Sequence, residues 1–202
     1  MREVSKNWET TRRTLFLVVW LRAAFGALSI AVSSYAYASQ PANGDVEAQI
    51  NAQVWIPMLR ASDQFDAEGF LAVLSRDLIR VSTDRNLIYG FERYNKETRE
   101  GFARARERGV RRTSSMRFVT RAHSDGLARE TGIFRSDVTL SNGQRRVSFT
   151  AFEMLLRKEA GTWKLLLDQD TWREGKITED EYLAAMPMSS IEPNPALLPQ
   201  SR

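Results

Sequence analysis

Residues 145–170 read RRVSFTAFEMLLRKEAGTWKLLLDQD, and this stretch decides what the chain builds. Val147, Phe149 and Ala151 alternate with Ser148, Thr150 and Phe152. A period of two, rich in β-branched and aromatic residues, marks a half-buried strand. Ala160-Gly161-Thr162 breaks the run, and Trp163-Lys164-Leu165-Leu166-Leu167 returns alongside it. On its N-terminal side lie two more long strands, over 115–123 and 127–140. The turns between these strands fall at Ser124-Asp125-Gly126 and Ser141-Asn142-Gly143. Asp-Gly and Asn-Gly are strong hairpin signals, so four long strands are expected in an antiparallel meander.

The segments before the meander supply cover for one face of it. Over 46–63, Val46, Ile50, Val54 and Met58 recur at helical spacing with Trp55 and Leu59 beside them. Pro57 lies within this helix, so a kink or break is expected near Trp55. A second helix starts at Asp66, whose carboxylate is expected to cap it, and turns Phe70, Leu71 and Leu74 inward. Residues 77–82, DLIRVS, alternate as a strand, Asp84-Arg85-Asn86 turns the chain, and 87–89 is a short return strand. A third helix runs over 91–108 and stops at Gly109. The expected fold class is α+β, an antiparallel sheet of four long strands plus a short strand pair with three helices on one face. Beyond it, Thr178 and Glu181 form a capping box for a short helix, followed by a Pro-rich tail expected to be disordered from Pro187.

The first 38 residues have the order of a secretory signal peptide. Basic residues (Arg2, Lys6, Arg12, Arg13) precede an apolar run over 15–32, and Ala36-Tyr37-Ala38 offers a small-residue cleavage site before Ser39. The organisation expected is a leader over 1–38, a linker over 39–45, a domain over 46–172, and a short helix with the tail over 173–202. Cleavage after Ala38 implies a periplasmic or secreted protein without a stable membrane span. The alternative is an anchor over 15–32, against which Arg22 argues. Thr11-Arg12-Arg13 resembles a twin-arginine export signal. Five of the 29 basic and two of the 25 acidic residues lie before Ser39, leaving the remainder about one charge from neutral. The alkaline isoelectric point therefore gives no reason to expect a nucleic-acid partner, and Arg104, Arg106, Arg108, Arg111, Arg112, Arg117 and Arg121 read as a solvated face. Cysteine is absent, which excludes disulfides, thiolate metal sites and a cysteine nucleophile.

The order of two helices, a strand pair, a third helix and a four-stranded meander resembles the nuclear-transport-factor-2-like superfamily. The spacing of Trp55, Asp63, Asp66, Phe70 and 77–82, closed by 149–158, Gly161, Trp163 and Asp168, is similar to its exported, uncharacterised branch, grouped with polyketide-cyclase-like and ketosteroid-isomerase-like proteins. The resemblance covers about 46–172. It implies a curved antiparallel sheet wrapped around the three helices as a cone-shaped, cystatin-like roll whose open end holds a small-molecule pocket, and a homodimer formed through the outer sheet face. Phe149/Phe152 and Leu165/Leu166 put apolar residues on both faces of the strands.

In the isomerase-like relatives a carboxylate ends the first short strand, and Ser82 stands at about that position. A serine is a poor base without a partner to take its proton. Trp55 stands near the position of a first-helix tyrosine and has no hydroxyl. No catalytic residue is assigned. The pocket candidates are Trp55 and Leu59 on the first helix, Arg80 and Ser82 on the first strand, and Tyr94 and Thr98 on the third helix. Glu130, Glu153 and Asp168 join them as carboxylates able to pair Arg80 or to replace the missing base. Arg80 either meets one of these carboxylates, is exposed, or orients an anionic ligand. His123, the only histidine, stands at a hairpin tip and is expected to be exposed. A lone histidine makes no metal cluster. Asp170, Glu174, Gly175, Ile177, Thr178 and Glu181 match part of a calcium loop, but Trp172 fills a ligand position with no oxygen. No metal and no cofactor is expected. Two functions remain: an exported protein binding a small apolar or anionic molecule, or a lyase, isomerase or cyclase acting on such a molecule by acid–base chemistry.

Overall fold

The computed structural model describes residues 43–188; the expected leader and most of the Pro-rich tail lie outside them. The chain opens with α1 (Asn43–Ile50), a π-helical turn (Asn51–Trp55) and α2 (Ile56–Gln64), which run on as one helix. Pro57 sits in the first turn of α2, where it has no N–H to give, and the turn before it widens so that the Ile56 N–H reaches the Asn51 carbonyl. The expected kink is thus a π-turn, and it aims Trp55 into the core. Phe65 closes α2 in the left-handed conformation, its N–H reaching the Ala61 and Ser62 carbonyls. In α3 (Ala67–Ala72) Asp66 occupies the N-cap position, but its side chain makes no capping bond, contrary to expectation.

The strands are β1 (Leu74–Ser82), β2 (Leu87–Gly90), β3 (Arg111–Ser124), β4 (Leu127–Thr139), β5 (Arg145–Glu159), β6 (Thr162–Thr171) and β7 (Met186–Pro187). Helix α4 (Phe91–Glu107) lies between β2 and β3, and α5 (Glu179–Ala184) precedes β7. They form one sheet in the order β2-β1-β6-β5-β4-β3-β7. The fold is α+β as expected, and the meander is in place. The sheet is mixed, however, because β1 pairs with β6 in parallel, Arg80 opposite Asp168 and Ser82 opposite Asp170. Local alternation carries no information on which distant strand lies alongside, so this pairing is invisible in the sequence. The edge strand β7 is a second correction. Pro187, expected at the start of a disordered tail, pairs with Arg117, and Met188 beyond it is buried in the core.

One face of the sheet packs on the helices. Trp55 stands between Phe118 and Phe152, with ring centroids 6.1 and 6.0 Å away, and Ile50, Val54, Leu156, Trp163 and Leu165 close around them. Phe152 and Leu165 therefore belong to the inner core and not to an outer face. On the outer face Ile133, Phe149 and Ala151 are covered by Ile177 and Tyr182 of the chain's own C-terminal segment. The Thr178/Glu181 capping box holds α5 in place, with both reciprocal bonds formed.

A register shift between Phe118 and Thr120 leaves Val119 unpaired and exposed. Such a bulge reverses the inward–outward alternation beyond it. Arg112, Ser114, Met116 and Phe118 lie on one parity; past Val119, Arg121 and His123 take over that face.

Candidate functional site

Two polar clusters sit on the helix-covered face. The first surrounds Glu130, which is wholly buried. Trp55 Nε1 donates to its Oε2 at 2.6 Å, Arg121 Nε donates to Oε1 at 2.8 Å, and His123 Nε2 lies 3.0 Å from Oε1. Arg121 also donates to Asn51 Oδ1 at 2.8 Å and stacks 4.0 Å over Phe118. His123 is thus no exposed tip residue, since its side chain is 3% exposed. Its neighbours 125–126 make the turn, while the bulge at Val119 sends its imidazole inward. Every polar contact of Glu130 is met within the protein, which makes this cluster a tether between the first helix and the sheet.

The second cluster lines a cavity of about 370 Å³. Leu59, Phe70, Phe102, Phe134 and Met154 give it apolar walls, and Arg80, Tyr94, Asp168 and Asp170 form its polar end. Arg80 reaches this end from β1 because the parallel pairing sets it beside Asp168 of β6. Its NH2 group donates to Asp170 Oδ2 at 2.6 Å, and NH1 donates to the carbonyls of Val81 and Asp168 at 2.7 and 3.0 Å and lies 3.5 Å from Asp168 Oδ1. From α4, Tyr94 donates its hydroxyl proton to Asp168 Oδ2 at 2.7 Å.

The electrostatics follow from this arrangement. Burial opposes the charge on Arg80, but the Asp168 and Asp170 carboxylates outweigh it and keep the guanidinium firmly protonated. Burial raises Asp168 above the ordinary aspartate value, the Arg80 charge and the Tyr94 bond pull it down by less, and Asp170 adds to the rise. Tyr94 is pushed well above the ordinary phenol value, first by burial and then by the Asp168 charge, so it stays a donor. Asp168 is therefore a cavity-wall carboxylate that burial inclines toward its protonated form, held by a neutral phenol and beside an arginine whose shortest bond to a carboxylate goes to Asp170.

Of the nine residues chosen from sequence, Leu59, Arg80, Tyr94, Thr98 and Asp168 line the cavity. Four do not. Trp55 and Glu130 bond to each other in the core below it. Ser82 is buried and accepts from Arg85 Nε at 3.1 Å. Glu153 has outward parity and pairs with Arg129 at 2.8 Å on the exposed face. Arg80 is an ion-pair partner and has no charge to spare for a ligand. Reasoning from sequence missed Asp170 and Arg112. Asp170 stands two residues past Asp168 and so shares its face, a signal the calcium-loop spacing obscured. Arg112 shares parity with Ser114, Met116 and Phe118, a signal hidden by its setting in an arginine-rich run.

No family model and no curated protein matches the sequence. Solved structures do match the fold. A conserved protein from Planctomyces limnophilus aligns at 21% identity and TM-score 0.52, over 62% of this chain and 94% of its own. Aln2 from a Streptomyces species aligns at 14% identity and TM-score 0.55, over 66% of this chain and 94% of its own. An NTF2-like protein with a cystatin-like fold from Novosphingobium aromaticivorans aligns at 11% and 0.52, over 62% and 80%. The fold is the nuclear-transport-factor-2-like roll. In this chain the roll encloses the cavity between α2, α4 and the sheet, with Asp168 and Tyr94 at one end.

Proposed function

We propose that this chain binds a small, mainly apolar molecule in the 370 Å³ cavity and sets a polar group of it against Tyr94 and Asp168. The observation that carries this reading is a buried carboxylate on the wall of an apolar cavity of the size that holds small ligands, roughly 300–1,000 Å³. Native mass spectrometry of the purified protein tests it. A bound small molecule is expected in the wild type and lost from Leu59→Trp, which fills the cavity; a mass spectrum free of bound molecules, with no thermal stabilisation by any compound of an apolar library, would overturn it.

A second reading, acid–base chemistry on the bound molecule, draws support from Asp168 itself. Its proton affinity is raised by burial, the direction a general acid or base needs near neutral pH. Under that reading Asp168→Asn abolishes turnover while the molecule still binds.

We further propose an exported homodimer. The charged, apolar and small-residue order of the first 38 residues supports export, and N-terminal sequencing of envelope material should begin at Ser39. Among the described residues no helix is long and apolar enough to cross a membrane. Dimer formation is supported by the exposed Ile79, Ile88, Leu127 and Leu155, which leave a strip of the sheet bare beside the part that α5 covers. Light scattering at micromolar concentration checks it.

A further inference from the structure

The cavity has one cation too many. Four arginines and three carboxylates line it. Arg80 is held by Asp168 and Asp170. Arg85 lies 3.8 Å from Glu97 and also reaches Tyr89 and Ser82. Arg135 lies within 3.7 Å of Asp137 and Glu179. Arg112 has no carboxylate within ion-pair distance and no hydrogen-bond partner among the described residues, and its Nε is buried without an acceptor. Two rings hold its guanidinium in place, Phe65 at 4.5 Å and Phe102 at 5.5 Å. Burial lowers its proton affinity, and Asp63 offsets this only from a distance. Beside it on the same face, Ser114 and Ser136 stand opposite one another across β3 and β4 and present two hydroxyls to the cavity.

We propose that Arg112, with Ser114 and Ser136, is a recognition site for a carboxylate, so that the molecule taken up is an elongated apolar acid. The proposal rests on the cavity reading above and deepens it. A fixed, stacked guanidinium with unused N–H groups matches a carboxylate in shape and charge and gives up little freedom on binding. The opposite end of the cavity carries the carboxylates Asp168 and Asp170 and repels an anion, so charge alone orients the acid. Arg112 is on β3 and Asp168 on β6, three strand spacings apart in the sheet order. The register also offsets them along the strands, Arg112 aligning through Val138 with Arg146 of β5 and Asp168 aligning with Met154, so the two stand well apart in the sheet. Both side chains line the same cavity from these separate places, an arrangement that suits an elongated acid with its carboxylate at one end and its reactive or hydrogen-bonding group at the other.

Naphthalene-2-carboxylate and its isosteric neutral carboxamide separate charge from shape. Titration calorimetry at neutral pH is expected to show the wild type binding the carboxylate at least tenfold more tightly, the difference a charge-assisted hydrogen bond makes. Arg112→Met keeps the ring contacts and is expected to erase that preference while shifting carboxamide binding less than twofold; Arg112→Lys restores part of it. Asp63→Asn removes the distant opposing charge and is expected to tighten carboxylate binding alone, a readout that does not depend on the Arg112 variants folding. Equal binding of both probes by the wild type, or equal loss of both in Arg112→Met, overturns the subsite and leaves the cavity reading standing. Binding of neither probe overturns the subsite, and the cavity reading then stands or falls on native mass spectrometry and the apolar library.

Discussion

Asp168 shows what one buried carboxylate does to pH dependence. Its folded value lies above the ordinary 3.8, so the folded protein holds this proton at a pH where the unfolded chain has released it. The stability this contributes is fully present below about 3.8 and is lost as pH rises through the folded value. Melting temperatures of wild type and Asp168→Asn are therefore expected to diverge as pH increases above 3.8, with the wild type falling relative to the variant. Tyr94→Phe removes the hydrogen bond that partly holds Asp168 down, moving this window to higher pH and lowering stability by about 1–3 kcal/mol. Glu130 has the opposite character. Three donors converge on it with no exposure, so Glu130→Leu leaves the Trp55 and His123 nitrogens unpaired and Arg121 with only Asn51 and the more exposed Glu47. A loss of about 1–3 kcal/mol or more in chemical denaturation is expected, since the Trp55 and His123 donors stay buried without an acceptor. An exposed Glu130 would instead give a change below about 1 kcal/mol.

Among the elements, the hairpins carry the most specific local demands. Ala160 and Gly161 join β5 to β6 with φ of 46° and 86°, and Glu159 faces Thr162 across the turn. Two central residues at positive φ make the tight turn that Asn-Gly suits best, and alanine is strained there. Ala160→Asn is expected to stabilise the protein by about 0.5–1 kcal/mol, read as a rise in melting temperature. Gly132 answers a different demand. Opposite the β3 bulge, a Cβ here would stand 2.1 Å from the Arg117 carbonyl oxygen and 2.5 Å from Phe152 Cζ. Backbone cannot yield as a flexible side chain does, so Gly132→Ala is expected to destabilise by more than the roughly 1–3 kcal/mol of ordinary overpacking. Because the bulge also turns Arg121 and His123 inward, this variant should lower protection of the Trp55 indole N–H from hydrogen exchange.

For the whole molecule, the C-terminal segment decides how much of the outer sheet is open. Ile177 and Tyr182 cover Ile133, Phe149 and Ala151, and Met188 reaches the main core. A chain ending at Trp172 is expected to melt at a lower temperature and to associate beyond the wild-type state in light scattering, because a covered apolar face becomes an exposed one. Unchanged size and stability would mean that the segment is only laid against the sheet.

The alternation of Val147 to Phe152, the Asp-Gly, Asn-Gly and Ala-Gly turns, the spacing of Val46 to Met58 and the Thr178/Glu181 box were enough to determine the long strands, the helices and their order, though not the edge strand β7, because these signals act between residues close in the chain. They also reached part of the cavity, since Leu59, Arg80, Tyr94, Thr98 and Asp168 follow from parity and helical spacing taken together with the family resemblance. Tertiary structure alone decided the rest. The parallel pairing of β1 with β6 gave Arg80 to Asp168 and Asp170, and the bulge at Val119 buried His123 beside Glu130. The packing of Phe65 and Phe102 on Arg112 turned one arginine of a charged run into a cavity residue. Each of these depends on which distant segments meet and on a one-residue change of register, and neither leaves a periodic mark in the chain.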